Sequence, residues 1–255
     1  MKVGLIGNPN VGKSTIFNAL TGLKQHTGNW PGKTVEKATG YKKYKDIYYQ
    51  FEDLPGTYSL IAHSKEEEVT RDFIYFGEYD ALLVVCDAVC LERNLNLVLQ
   101  ILEVTNKVVV CINLIDEAVK KGITIDAEKL QQILGIPVIK TNARKKQGIH
   151  QLLLSLNEIH DNKNPTYNIK YDKTIQDEIE DIAYLIEEYK ISKKALALKL
   201  LSGEINRPND KLLNNKIKEA RNNLYKKGIK NTDIPEIITE QIIKFKSDSK
   251  PLAVI

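Results

Sequence analysis

Eight residues near the start of the chain, Gly7-Asn8-Pro9-Asn10-Val11-Gly12-Lys13-Ser14, limit more than any other feature what this sequence can become. They fit the pattern G-x-x-x-x-G-K-[ST]. They stand between a short apolar run at 3–6 and a helically spaced stretch at 14–20, where Ile16, Phe17 and Leu20 share a side. A strand that passes through such a loop into a helix offers converging backbone N–H groups and the positive end of a helix dipole. Both are what a phosphate needs. In this arrangement Lys13 reaches the β- and γ-phosphates of a nucleotide, and the Ser14 hydroxyl ligates Mg²⁺. Thr15, next in the chain, extends the phosphate-binding set. The plain alternative is a glycine-rich turn before a helix, and the strand–loop–helix context weighs against it.

The next 145 or so residues repeat this alternation of short strand, loop and helix. Residues 48–54, 81–86, 107–114 and 138–140 are expected strands, and 94–103, 126–134 and 149–160 expected helices. The pattern predicts an α/β fold with a mostly parallel sheet covered by helices on both faces. Ligands bind such sheets in the loops at the carboxyl ends of the strands. After Asn162 only helical spacing remains. A polar, proline-bearing linker at 162–166 precedes a helix at 174–189 that aligns Ile175, Ile179, Ile182, Ile186 and Tyr189. Ser192 reads as an N-cap and Gly203 as a stop for a second helix. A third, at 211–227, groups Leu213, Ile217, Ala220 and Leu224 before Gly228, and Pro235 opens a fourth with Ile238, Ile242 and Phe245 inward. The expected organisation is a nucleotide domain at 1–162, a small all-α domain at 167–246, and a closing stretch at 247–255 that turns from polar to apolar.

Three further motifs fall in the predicted loops. Asp53-Leu54-Pro55-Gly56 ends a strand, so the carboxylate can hold the Mg²⁺ shell and the glycine N–H can sense a γ-phosphate. Asn113-Leu114-Ile115-Asp116 ends another. Asp116 there would accept hydrogen bonds from guanine N1–H and N2–H₂. Adenine lacks those donors and would leave the carboxylate unpaired, a mismatch that gives strong rejection. Thr141-Asn142-Ala143-Arg144 ends the last strand, where a backbone N–H would meet guanine O6. Thr34, within the polar segment Gly32-Lys33-Thr34-Val35-Glu36, could complete the Mg²⁺ shell when GTP is bound. Each of these motifs alone reads as an ordinary loop; all in order, each after a strand, point to a GTP-binding protein.

Composition narrows the remaining choices. The 37 basic and 33 acidic residues are interspersed, which disfavours a nucleic-acid surface. Cys86, Cys90 and Cys111 make no C-x-x-C pair, and the four histidines have no ligand spacing, so no protein-built transition-metal site is expected. Cys86 and Cys111 lie in apolar runs and read as core residues. The apolar runs are far shorter than the roughly 20 residues that span a bilayer. The N-terminus has no secretory pattern, which predicts a cytoplasmic location.

The ordered set resembles the translation-factor-related GTPases. Residues 26–36 (HTGNWPGKTVE), 53–60 (DLPGTYSL) and 90–95 (CLERNL) are more closely similar to the cytosolic GTPase of FeoB-type ferrous iron transporters. That resemblance covers residues 1–160 by motif and 167–246 by helical pattern alone. It implies a P-loop GTPase fold, a helical domain that stabilises bound GDP, and a polytopic membrane domain in the same full-length chain. It also implies a position at the cytoplasmic face of the cell membrane, and leaves a homo-oligomer open. In similar GTPases the position of Asn10 binds K⁺, which supplies the charge that others take from an arginine finger; a turn asparagine is the alternative. Three departures stand out. Leu114 replaces the usual Lys, Asn142 replaces the usual Ser while leaving the backbone contact to O6 available, and Thr57 stands where Gln commonly orients the attacking water. The last implies slow hydrolysis. Trp30, the single tryptophan, reads as part of a switch segment rather than a core cap. A ribosome- or tRNA-associated GTPase shares the first motif but would carry an RNA-binding appendage that is not seen here. A nucleotide-gated interaction module with vestigial hydrolysis is the non-enzymatic alternative.

Overall fold

The computed structural model describes residues 1–22, 25–30, 34–60, 62, 64–161, 172–186, 193–203, 205, 210–230 and 233. Contacts divide the chain into two units, whose main parts are residues 1–165 and 166–252.

The first unit is built on a seven-stranded sheet. Its strands are β1 (Lys2–Gly7), β2 (Gln25–Asn29), β3 (Glu36–Tyr44), β4 (Ile47–Asp53), β5 (Ala81–Asp87), β6 (Val108–Asn113) and β7 (Val138–Lys140), in the order β2-β3-β4-β1-β5-β6-β7. The four pairings among β4, β1, β5, β6 and β7 are parallel, and β2 and β3 are antiparallel additions at one edge. The apolar runs explain the parallel part. Ala81–Cys86 and Val108–Asn113 are buried along their whole length, as strands covered on both faces must be. One face packs Val3, Leu5, Tyr49, Phe51, Leu83, Val85 and Val109 against α1 (Lys13–Thr21) and α6 (Ile149–Asp161). The opposite face meets α2 (Lys65–Phe76) and α3 (Leu91–Val104). Shorter helices α4 (Ile115–Lys120) and α5 (Ala127–Leu134) follow β6. Burial removes water from the thiols of Cys86 and Cys111, pushing the first far above the ordinary range and the second up to about 12. They behave as small core hydrophobes.

Several elements differ from expectation. β2, β3, α2 and α4 were not among the expected elements, and α3 begins at Leu91, three residues before its predicted start. Residues 25–29 and 36–44, to which no element was assigned, form the outermost strand and its neighbour, where little apolar alternation is required. α2 is capped by Ser64, whose hydroxyl accepts from Glu67 N, and buries Val69, Phe73 and Ile74.

In the second unit, α7 (Lys173–Leu185), α8 (Lys193–Ser202) and α9 (Lys211–Lys226) pack together. Ile175, Ile179, Ile182 and Ile186 are buried from the first, as are Leu213, Ile217, Ala220 and Leu224 from α9. α7 ends at Leu185, four residues short of the predicted 189. Gly203 and Gly228 take left-handed backbone at φ 85° and 86°, ending α8 and α9 where glycine pays no Cβ penalty. The Arg221 side chain donates to the carbonyls of Leu200 and Leu201, satisfying the last turn of α8. The predicted linker at 162–166, Tyr189, Ser192, the helix from Pro235 with Ile238, Ile242 and Phe245, and the stretch 247–255 lie outside the described residues.

Candidate functional site

Strand order reverses about β1, with β4 on one side and β5 on the other, which opens a crevice at the carboxyl edge of the sheet. The loop from Gly7 to Gly12 fills that crevice and hands over to α1. A cleft of about 540 Å³ is lined there by Asn8, Pro9, Asn10, Lys13, Ser14 and Gly56, among others. Gly12 has φ 82°, and a Cβ on it would come within 2.4 Å of Asn113 Nδ2, so conformation and space both demand glycine. A Cβ on Gly56 would meet the Pro9 backbone at 3.2 Å, which is how the two loops close on one another.

Charge gathers at this end of the cleft. Lys13 Nζ is ion-paired with Asp53 Oδ1, both side chains being largely buried, and Ser14 Oγ lies 3.5 Å from Asp53 Oδ2. The sequence reading sent Lys13 to phosphate and Asp53 to Mg²⁺; here the two neutralise each other, since a buried charge must find a counter-charge. Asn10 is exposed, with left-handed backbone at φ 67° and no hydrogen bond to its amide among the described residues. The buried Asn8 Oδ1 has no partner. Thr15 is exposed, Val11 is buried, and Leu54 and Val35 turn their side chains into the interior, so the last three can offer only backbone to a ligand. Pro55 lines the cleft.

Asn113 ties the remaining loops to the first. It is 1% exposed; its Nδ2 donates to Val11 O at 3.2 Å, and its Oδ1 accepts from Ala143 N at 3.2 Å and Thr141 Oγ1 at 3.3 Å. One side chain thus joins three motifs. A backbone N–H of this loop was expected to meet guanine O6; that of Ala143 is given to Asn113, so a purine oxygen would share it or take another N–H of the loop. Asn142 also ties its own loop together. Its Oδ1 accepts from Lys145 N, capping a 3-10 turn at Ala143–Lys145, and its backbone pairs with Gln147. Leu114 holds φ 62°, a conformation costly for a side-chain-bearing residue and common where function imposes it. Ile115 and Asp116 follow in the first turn of α4, and the Asp116 carboxylate has no hydrogen bond among the described residues. Arg144 is exposed.

The flank beside the cleft is less tightly bound. Thr34 and Glu36 are exposed, and among the described residues Thr34 makes no hydrogen bond to Ser14 or Asp53. Gly32 and Lys33 lie outside the described residues. Trp30 N donates to Val35 O at 2.9 Å, and the indole stands edge-on to Phe73 of α2 at 5.6 Å. Lys37 Nζ lies 4.6 Å over the indole and 3.0 Å from the buried Glu52. Thr57 is 1% exposed, with its hydroxyl on Ser59 O at 2.5 Å and Glu67 Oε1 at 3.3 Å. It is not among the residues that line the cleft. Glu66, from the unforeseen α2, does line the cleft, and only a Ser64-x-x-Glu67 capping pattern in the sequence hinted at that helix.

This sheet order, a phosphate loop between β1 and α1, and base- and metal-type motifs along one edge define a P-loop GTPase fold. The chain belongs to the family described as ferrous iron transport protein B, whose model matches residues 1–156. It is 38% identical over 182 residues to the Fe(2+) transporter FeoB of Staphylococcus aureus (strain MSSA476), a match covering 71% of this chain and 27% of that protein. It therefore spans about a quarter of the length of the curated relatives it matches. Among solved structures it is similar to the cytosolic domain of the T. maritima FeoB iron transporter in a GDP form, with TM-score 0.80 and 34% identity over 97% of this chain and 95% of that one. The GMPPNP form of the same domain gives TM-score 0.80 and 33% identity, covering 98% and 97%. No helix among the described residues is long and apolar enough to cross a membrane.

Proposed function

We propose that this chain binds GTP and GDP in the cleft at the carboxyl edge of its sheet and hydrolyses GTP slowly. In this reading it regulates a ferrous iron transporter of which it forms the part on the cytoplasmic side of the membrane. One observation carries the proposal: Lys13, Ser14 and Asp53 meet at the phosphate end, while Asn113 fastens that loop to the one bearing Asp116, whose carboxylate has no hydrogen bond among the described residues. The GDP and GMPPNP forms of similar structures and the transporter names of the relatives point the same way.

Nucleotide binding replaces one anion by another at Lys13, whose ammonium leaves Asp53 for the β- and γ-phosphates. The released carboxylate, together with Ser14 Oγ, offers hard oxygen ligands close enough to serve one small cation. Thr34 joins them once its loop closes on the γ-phosphate. Mg²⁺ bound by these residues neutralises phosphate charge. Asp116 accepts from guanine N1–H and N2–H₂ and so rejects adenine. The Gly56 N–H faces the γ-phosphate. Thr57 is turned inward and cannot position water, which makes unassisted hydrolysis slow. The exposed, unengaged Asn10 amide suits a K⁺ ion beside the phosphates, where it adds positive charge in the transition state. The helical unit, assigned to 167–246, stabilises bound GDP and links the GTPase to a membrane domain.

The same inward Thr57 favours a second reading, a nucleotide-gated module without useful turnover. Single-turnover hydrolysis with K⁺ separates the two, since the module would release no phosphate. The test of the main proposal is competition binding: GTP and GDP should outcompete ATP by several decades, and equal affinities would refute the assignment of Asp116.

A further inference from the structure

The end of the sheet remote from the cleft carries a surface that nucleotide binding does not use. β3 and β4 turn there through Lys45 and Asp46, and their register pairs Tyr44 with Ile47, Lys43 with Tyr48 and Tyr41 with Gln50. Strand alternation puts Tyr41, Lys43 and Tyr48 on one face. β2 accompanies β3 only as far as Gly40, so the hairpin projects beyond it. Tyr48 is 69% exposed and Tyr41 50%, well above ordinary burial for residues of that size. Lys43 Nζ lies 5.0 Å over the Tyr48 ring and Lys45 Nζ 5.7 Å over Tyr44. Between Tyr41 and Tyr48 the tip carries Lys42, Lys43 and Lys45 against one acidic residue, Asp46; Lys43 shares the tyrosine face, and Lys42, paired with Tyr49, stands on the other. Among the described residues none of the three lysines has an ion-pair partner.

Lysines alone would be explained as protection of an exposed strand edge. Two exposed tyrosines beside them are not, because they add apolar area at an edge meant to repel. We propose that this hairpin docks on an anionic phospholipid surface, the lysines against the headgroup phosphates and the phenols of Tyr41 and Tyr48 at headgroup depth. Tyrosine favours that interface because its ring is apolar and its hydroxyl wet. Lysines gain from the negative surface potential within a Debye length. A nucleic acid would meet the same charge, but the hairpin is one narrow ribbon without the wide basic stripe that phosphate tracking needs. β4 runs from this tip to Asp53 over about 20 Å at a strand's rise per residue, so docking leaves the phosphate cleft open to solvent. The inference rests on the transporter part of the proposed function, which supplies the bilayer, and not on the nucleotide part.

Co-sedimentation of the chain with phosphatidylcholine vesicles, with and without phosphatidylglycerol, tests it. Binding is expected only with phosphatidylglycerol and should vanish at high salt. Replacing Lys42, Lys43 and Lys45 together by Gln should weaken partition by about a hundredfold, roughly fivefold for each lysine. Tyr48→Ser should weaken it by a smaller factor and leave its salt dependence intact. GDP affinity, unchanged in every variant, shows that they fold and keeps a failure here separate from a failure of the nucleotide reading. Equal partition of the wild type and the triple variant overturns the proposal. So does absence of binding to anionic vesicles, and so does retention on duplex RNA or DNA without vesicle binding.

Discussion

The two sides of the sheet are held together by different means. On the β1-β5-β6 side the strands are buried from end to end, and the loops above them are cross-linked by Asn113, which serves Val11, Thr141 and Ala143 at once. On the β2-β3 side most side chains are exposed. The contacts there are an edge-on Trp30–Phe73 pair, a lysine over the indole, and an ion pair to Glu52. Trp30 Nε1 and Glu52 Oε2 are buried without partners, which makes the present arrangement of that flank costly to keep. A site that reads a base gains from a preformed loop, because ordering is completed before binding. A segment that must report a γ-phosphate needs two arrangements of similar free energy. The difference between the halves is what the proposed division of labour requires.

The largest effect that could break this comparison lies on the rigid side. Asp116→Asn should lower GTP and GDP affinity by about three decades or more and shift preference toward xanthine nucleotides, whose O2 accepts from an amide. Isothermal calorimetry with the four nucleotides measures it, and an unchanged guanine preference would move base reading elsewhere. Asn113→Ala comes next. It leaves a buried N–H and a buried carbonyl unpaired, so stability to urea should fall by about 3 kcal/mol. A loss below about 1 kcal/mol would mean that the loops support themselves.

Smaller effects belong to the cleft mouth and the flank. Replacing K⁺ by Na⁺ should lower kcat about tenfold, equivalent to about 1.4 kcal/mol. Asn10→Ala should remove that response with GDP binding intact, and a variant that still responds would place the cation elsewhere. Lys37→Met should cost the flank only about 0.5–1 kcal/mol. Its signature is a shift in Trp30 emission in the GDP state, with GDP affinity unaltered.

The rigid half was also the legible half. Val108–Asn113 and Ala81–Asp87 announce themselves because strands covered on both faces must be continuously apolar. The loop between β1 and α1 and the place of Asp116 just after β6 were readable because each motif directly follows an apolar strand. β2 and β3 were not, since His26–Asn29 are all exposed and impose no pattern, and β3, beside that outermost strand, buries only Gly40 fully. The cross-linking by Asn113, the left-handed Leu114, the Lys13–Asp53 pair and the placing of Glu66 depend on loops that meet only when the sheet closes. Nothing local encodes them.

Amide hydrogen exchange of the chain with GDP, GMPPNP and ADP, each with Mg²⁺, tests the central claim most directly. GDP should protect 113–116 and 142–144 while ADP leaves them as in the free protein. GMPPNP should add protection over 25–37 and 56–68 without further change at 108–116. Equal protection of 113–116 by ADP and GDP, or a γ-phosphate response spread evenly over both halves of the sheet, would contradict the account.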